Sequence, residues 1–181
     1  FKVGSERVEN LTDNTMPGRF FIQRFLRRAV GAGCRYALVE VTSEGVMYRR
    51  HRFIRWRMAG INNLAPEHVE AHGSFEKYRA AKLSFLNYAA GQGAWIFLNR
   101  EDQSFEFFSK NVLSQNRTNF SVRDLKALGS IDKTSYLLSS SFNQENLALA
   151  AVTAEKLGIN REKIWRAAQD FSGVPGRMEY V

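Results

Sequence analysis

Apolar residues three and four apart alternate along this chain with short continuous apolar runs, which predicts helices interleaved with buried strands. Phe20 to Val30 has the spacing of an amphipathic helix, preceded by a loop at Thr15-Met16-Pro17-Gly18 and stopped by Gly31 and Gly33. Tyr36 to Val41 is apolar except for Glu40, as expected of a strand buried on both faces of a parallel sheet. Met58 to Ile61 predicts a second short strand. A helix capped by Ser74 and running to about Ala90 follows, then Gly91 and Gly93, then a third buried strand over Ala94 to Leu98. Glu106 to Asn111 and Gln144 to Leu157 predict helices, the second closed by Gly158. Asn160 is the expected cap of a last helix ending near Phe171, and Gln115 to Ser135 fits neither rhythm. The fold class that follows is α/β, a mostly parallel sheet flanked by helices.

Such sheets gather ligands at the carboxyl ends of their strands. Three polar clusters fall at predicted strand ends: Glu40 to Ser43, Asn62-Asn63, and Asn99 to Asp102. Together they point to one site. A glutamate ending a buried strand either emerges into solvent or needs a cation or several donors. Asn62 to Lys82 packs two histidines, several acids and a lysine into one loop and the next helix. On that helix Phe75, Tyr78, Phe85, Leu86 and Ala89 share one apolar arc, and Lys82 lies near its middle. A lysine there snorkels, finds a partner, or has a depressed pKa and does chemistry. His68 and His72 are four apart, but Val69 follows His68 where a hydrolytic zinc motif needs glutamate. Magnesium held by oxygens and one histidine fits better beside phosphates. A pair of hydrogen-bonding loop histidines is the plain alternative. Asn143 and Asn146 flank the start of a helix, one as a candidate cap and the other with an amide to offer a base edge.

Composition narrows the class. The chain has 181 residues, 44% hydrophobic, enough for one domain with a sizeable core. It begins at Phe1 and is expected to be a piece of something longer. No apolar run is long enough for a membrane span, and no signal-peptide pattern opens it. One cysteine, Cys34, excludes an internal disulfide and fits a reducing compartment. The net charge of +8 points to a solvated basic surface or an anionic partner. Arg24, Arg27 and Arg28 share a helix, while Arg49, Arg50, Arg52, Arg55 and Arg57 interleave with Tyr48, His51, Phe53 and Trp56. That second cluster would suit a nucleic-acid surface, although no zinc-finger, RNP or KH signature accompanies it. Gly91-Gln92-Gly93 precedes a strand, not a helix, so it is not a phosphate loop.

Several segments taken together resemble the Mur ligases. Val39-Glu40-Val41-Thr42-Ser43 is similar to the Glu-Val-Ser-Ser strand end of that family. Asn62-Asn63-Leu64, Glu67-His68-Val69-Glu70, His72-Gly73 and Ala81-Lys82 resemble its Thr-Asn-Leu, Asp-His-Leu-Asp, His-Gly and Ala-Lys pattern. Phe142-Asn143 with Asn146, and Gly176-Arg177-Met178-Glu179, resemble two more of its motifs. The branch most like this chain adds the third amino acid of the peptidoglycan stem peptide. The resemblance implies a cytoplasmic ATP-dependent ligase acting on a UDP-N-acetylmuramoyl-dipeptide and an amino acid through an acyl phosphate, with ATP and Mg2+ bound. It implies Glu40, His68 and a carbamylated Lys82 as metal ligands and catalytic groups. Asn146 and Asn143 would bind ATP, and Thr15, Thr42, Ser43 and Arg50 would face the muramoyl substrate.

The same resemblance implies a P-loop NTPase-like central domain without its phosphate-loop segment. Residues 1–175 would be part of that domain, and 176–181 the start of a linker to a C-terminal domain. The N- and C-terminal domains of the parent protein would be its partners, with no membrane, and the chain alone would be inactive. Thr42, Glu44, Asn62, Glu67 and Glu70 stand where the family usually has serine, histidine, threonine and two aspartates. The competing expectation is a non-catalytic or nucleic-acid-binding basic α/β domain, although the resemblance weighs against nucleic acid as a partner.

Overall fold

The computed structural model describes residues 2–4, 6–7, 15–65, 72–126 and 140–171. The chain forms two compact units, one of Phe1–Trp56 with Pro66–Tyr88, the other of Arg57–Ala65 with Ala89–Val181. In chain order the described elements are β1 (Lys2–Val3), β2 (Glu6–Arg7), α1 (Arg19–Gly31), α2 (Ser43–Met47), β3 (Met58–Ile61), α3 (Phe75–Ala90), β4 (Trp95–Asn99), α4 (Phe105–Asn111), β5 (Arg117–Phe120), α5 (Arg123–Lys126), α6 (Ser141–Lys156) and α7 (Arg161–Gln169).

The second unit is built on a parallel sheet in the order β3-β4-β5. Met58 pairs with Trp95 and Ile61 with Leu98, while Ile96 pairs with Arg117 and Asn99 with Phe120. The central strand explains its own position. Ile96, Phe97 and Leu98 are all buried, so apolar groups leave both faces of β4 and both need cover. Phe97 joins Phe120, Leu125, Ala148, Ala151 and Ile164 in one cluster, which seats α6 and α7 against the sheet. Small residues on α6 allow this approach, and Gly60 on β3 leaves room for Leu149. α4 also packs on β4.

The predicted helix boundaries follow from local chemistry. α3 is capped by Ser74, whose Oγ accepts from Lys77 N, and α7 by Asn160, whose Oδ1 accepts from Glu162 N at 2.7 Å. α3 ends with Gly93 N bonded to Ala90 O and Ala94 N to Ala89 O, a closure that requires the left-handed φ of +80° at Gly93. α1 ends in the same way at Gly33.

In the first unit α1 buries Ile22 and Ala29, and β1 pairs antiparallel with β2. Glu6 of that hairpin forms an ion pair with Arg28. Trp56, His51, Phe85 and Tyr88 make an aromatic cluster, with Trp56 and His51 edge-on to Phe85 at 5.0 and 5.7 Å.

Two expectations need correction, and one helix carries no signal in the sequence. Tyr36 to Val41 is not a strand: no described strand pairs with it, Leu38 is fully exposed and Tyr36 is exposed. An apolar run supplies strand propensity but not a neighbour, and without ladder hydrogen bonds the segment stays outside the sheet. Asn143 and Asn146 do not cap α6, which begins earlier with Ser140 as N-cap. α2 was not foreseen because five residues carry no readable period. It starts because Thr42 Oγ1 accepts from Gly45 N at 3.0 Å.

Candidate functional site

In the first unit, α3 presents Lys82 from the arc in which Tyr78, Phe85, Leu86 and Ala89 are buried. Its Nζ donates to Val41 O at 3.1 Å and lies 5.9 Å from the centre of the Tyr78 ring. Burial pushes the amine below the ordinary lysine range, and the Glu40 carboxylate opposes that shift without cancelling it. The segment before α2 therefore brings Glu40 and Lys82 within electrostatic reach, 42 positions apart in sequence.

The residues after Glu40 are held from within. Ser43 Oγ meets His72 Nε2 at 2.9 Å, both residues are buried, and the His72 ring packs on Tyr78. Ser43 is thus engaged by His72, and Thr42 is engaged as the cap of α2. Arg50 donates from Nη1 to Met16 O at 2.5 Å, and its guanidinium lies over the Tyr48 ring. Thr15 and Glu40 line one cleft of about 240 Å3 whose walls include Met16, Phe21, Phe25 and Leu38. His68 lies outside the described residues. Among the described residues, no group of three or more His, Cys, Asp and Glu side chains is arranged to hold a metal ion.

In the second unit two predicted strand ends converge. The side-chain amides of Asn62 and Asn146 meet at 2.6 Å, and either orientation of the Asn62 amide bonds to α6. Asn99 is buried, donates to Glu145 Oε2 at 3.3 Å, and accepts from Glu101 N. Asp102 accepts from Leu64 N through one oxygen and from Ser104 N through the other, each at 2.8 Å. Gln103 donates to Leu64 O, and Glu101 accepts from Val122 N. Burial, with the like charges of Glu101 and Asp102, raises the Glu145 carboxyl above the usual range, partly opposed by a hydrogen bond from Asn63. Asn143 lies on α6, partly buried. The third polar cluster, Glu40 to Ser43, belongs to the other unit.

Comparison with known proteins decides the family. The Mur ligase middle domain matches residues 2–154. This chain belongs to the Mur ligase family. It is 25% identical over 187 residues to the UDP-N-acetylmuramoyl-L-alanyl-D-glutamate–2,6-diaminopimelate ligase of Caulobacter vibrioides, covering 92% of this chain and 38% of that protein. It is 28% identical to the ligases of the same name from Thermosynechococcus vestitus and Halalkalibacterium halodurans, covering 94% and 99% of this chain. Those alignments take in 38% and 41% of the relatives' lengths. The chain thus spans about two fifths of the curated relatives it matches. No helix among the described residues is long and apolar enough to cross a membrane.

Two features of this Mur ligase middle domain lay beyond sequence reading. Glu145 adjoins Asn146 but carries no local signal, because its polar neighbours lie more than forty residues away. His51 looked like one member of a basic run, yet it is buried and its Nδ1 has no hydrogen-bond partner among the described residues. Burial and the neighbouring Arg52 lower its pKa from 6.5, against a hydrogen bond to Gly45 that raises it. The unfolded chain therefore takes up this proton more readily. The His51 contribution to stability is complete above pH 6.5 and declines as pH falls from 6.5 toward the lowered folded value. Unfolding free energies from urea titrations between pH 7.5 and 5 are expected to fall with a slope of at most about 1.4 kcal/mol per pH unit from this group. His51→Gln is expected to flatten that slope, and an unchanged slope would refute the assignment.

Proposed function

We propose that this chain is the middle part of an ATP-dependent ligase that adds an amino acid to a UDP-N-acetylmuramoyl-dipeptide in peptidoglycan synthesis. The observation that carries the reading is Lys82: a largely buried amine of lowered pKa, within the field of the Glu40 carboxylate. A neutral amine adds CO2 to form a carbamate with loss of a proton, which turns a poorly solvated cation into an anion able to ligate a metal. Glu40, the Lys82 carbamate and His68 would hold Mg2+, and the oxygen-rich donor set suits that ion. Magnesium supplies neutralisation of charge on the transferring phosphoryl group.

The rest of the chemistry follows from the family. The γ-phosphoryl group of ATP passes to the substrate carboxylate, giving an acyl phosphate and ADP. The amine of the incoming amino acid attacks that carbonyl, forming the peptide bond and expelling phosphate. Asn146, with Asn143 near it on α6, would meet the adenine. Thr15 and Arg50 would meet the muramoyl peptide. Thr42 and Ser43 would act from the backbone turn that they stabilise. The names of the relatives support a dipeptide ending in D-glutamate as acceptor, and the reaction would take place in the cytoplasm. The chain alone, spanning two fifths of those relatives, would not turn over.

In a full-length protein carrying this sequence, ADP release is expected to require ATP, Mg2+, UDP-N-acetylmuramoyl-L-alanyl-D-glutamate and an amino acid together. His68→Ala is expected to raise the Mg2+ concentration for half-maximal rate by about tenfold or more. His72→Ala is expected to raise it less, since His72 is committed to Ser43. Equal shifts would undo the assignment of His68. ADP release that ignored the muramoyl dipeptide would undo the ligase reading.

A further inference from the structure

Between Arg19 and Arg55 the chain carries nine arginines against two acids, Glu40 and Glu44. The first unit displays much of this charge together with aromatic rings. Phe20 is 83% exposed and Phe53 76%, and Tyr48 is exposed as well. The Phe53 ring is presented by construction. Its backbone has a φ of 66°, where a bulky side chain is strained, and Arg49 has a φ of 56° in the same loop. Both polar backbone groups of Phe53 are tied down: Gln23 of α1 donates to its carbonyl at 3.0 Å, and its N–H donates to Tyr88 Oη at 3.3 Å. The loop is thereby fixed against α1 with the ring outward, and the Arg19 guanidinium lies 5.8 Å from its centre. Arg24 and Arg27 stand four and seven positions after Phe20, on the same side of α1. Among the described residues, Arg19, Arg24, Arg27, Arg49 and Arg52 have no carboxylate partner, unlike Arg28.

We propose that this face of the first unit binds single-stranded nucleic acid, with Phe53 and Phe20 stacking on bases and Arg24, Arg27, Arg49 and Arg52 meeting phosphates. Planar rings held beside unpaired guanidinium groups are what a base and its phosphate require in combination. A duplex keeps its bases stacked and offers such rings little. A bilayer would favour segregated faces, with apolar residues in one stripe and cations at its rim. On α1 the exposed Phe20 instead lies between arginines. The inference stands apart from the ligase reading, and neither depends on the other.

The test is fluorescence anisotropy of the chain with labelled oligo-dT and oligo-U of roughly 15 nucleotides. Unlabelled duplex, polyglutamate, and vesicles of phosphatidylcholine with phosphatidylserine serve as competitors. Binding is expected at low salt and to weaken steeply as salt rises. Replacing both Arg24 and Arg27 by alanine is expected to reduce the logarithmic salt slope by about 1.4, or 0.7 for each phosphate contact. Phe53→Ala is expected to weaken binding about tenfold with far-UV circular dichroism unchanged. Phe20→Ala, at an exposed helical position, gives an independent check of stacking if the loop variant does not fold. Absence of binding at 50 mM salt would overturn the proposal. So would equal competition by polyglutamate, which has charge without bases, or tighter binding to the vesicles. Wild-type affinity in both phenylalanine variants would also overturn it.

Discussion

Lys82→Ala, in a full-length protein containing this chain, is expected to reduce ligation by on the order of 10^3-fold or to background. Partial recovery is expected on adding formate, acetate or propionate. The reasoning begins with desolvation. The lysine stem lies in an apolar arc, and among the described residues Val41 O is the only acceptor its ammonium reaches. One carbonyl does not replace the water that three N–H donors lose, so the proton is held less tightly even with Glu40 nearby. The neutral amine is the form that captures CO2, and in the proposed site its carbamate oxygens would join the Glu40 carboxylate and the His68 imidazole in holding Mg2+. On that proposal, deleting the amine would remove a donor and leave its space open, where a small carboxylate would substitute. Lys82→Arg is expected to be as inactive as alanine, because a guanidinium stays protonated and forms no carbamate. Initial rates with and without added carboxylate decide the matter. Unaided activity near wild type in Lys82→Ala would show that the amine has no part in the reaction.

Phe97→Ala is expected to destabilise the protein by about 3–5 kcal/mol. Phe97 is buried in the central strand and touches the cluster that joins β5, α5, α6 and α7. Truncation leaves a void bounded by Phe120, Leu125 and Ile164, and the two alanines of α6 have no atoms with which to fill it. Since whole domains are stable by only about 5–15 kcal/mol, such a loss brings the second unit close to unfolding at ambient temperature. Urea denaturation followed by circular dichroism measures it, with Phe20→Ala as the exposed control, expected within about 0.5 kcal/mol of wild type. A loss below 1 kcal/mol for Phe97→Ala would mean that this cluster does not organise the unit.

Helices were legible in the sequence where their signals are local. Ser74 and Asn160 announced two starts, and Gly33, Gly93 and Gly158 announced three stops, because caps and left-handed closures involve residues only a few positions apart. β4 was legible because continuous burial shows as a continuous apolar run. β5 was not. Arg117, Thr118 and Asn119 look like a loop, and they form a strand because β4 supplies the ladder and Trp95 Nε1 donates to Thr118 Oγ1 at 2.8 Å. Tyr36 to Val41 fails in the opposite sense: the composition is that of a strand, but pairing depends on a neighbour that no run of residues encodes by itself. In the candidate site, the position of Lys82 in its apolar arc could be computed from helical spacing. The hold of Asn99 on Glu145, or of Ser43 on His72, joins positions 46 and 29 apart and becomes visible only once the chain has folded.

Asp102 spends both carboxylate oxygens on main-chain amides, one at the exit of β3 and one on the turn leading to α4. It acts as a rivet between neighbouring loops. Glu101 is likewise pinned to Val122. Of the three acids gathered on this rim, Glu145 alone is gripped by side-chain amides, which can swing away, and burial with the charges of the other two raises its carboxyl above the usual range. A group approaching this rim would therefore meet one adjustable carboxylate, Glu145, above loops that stay riveted.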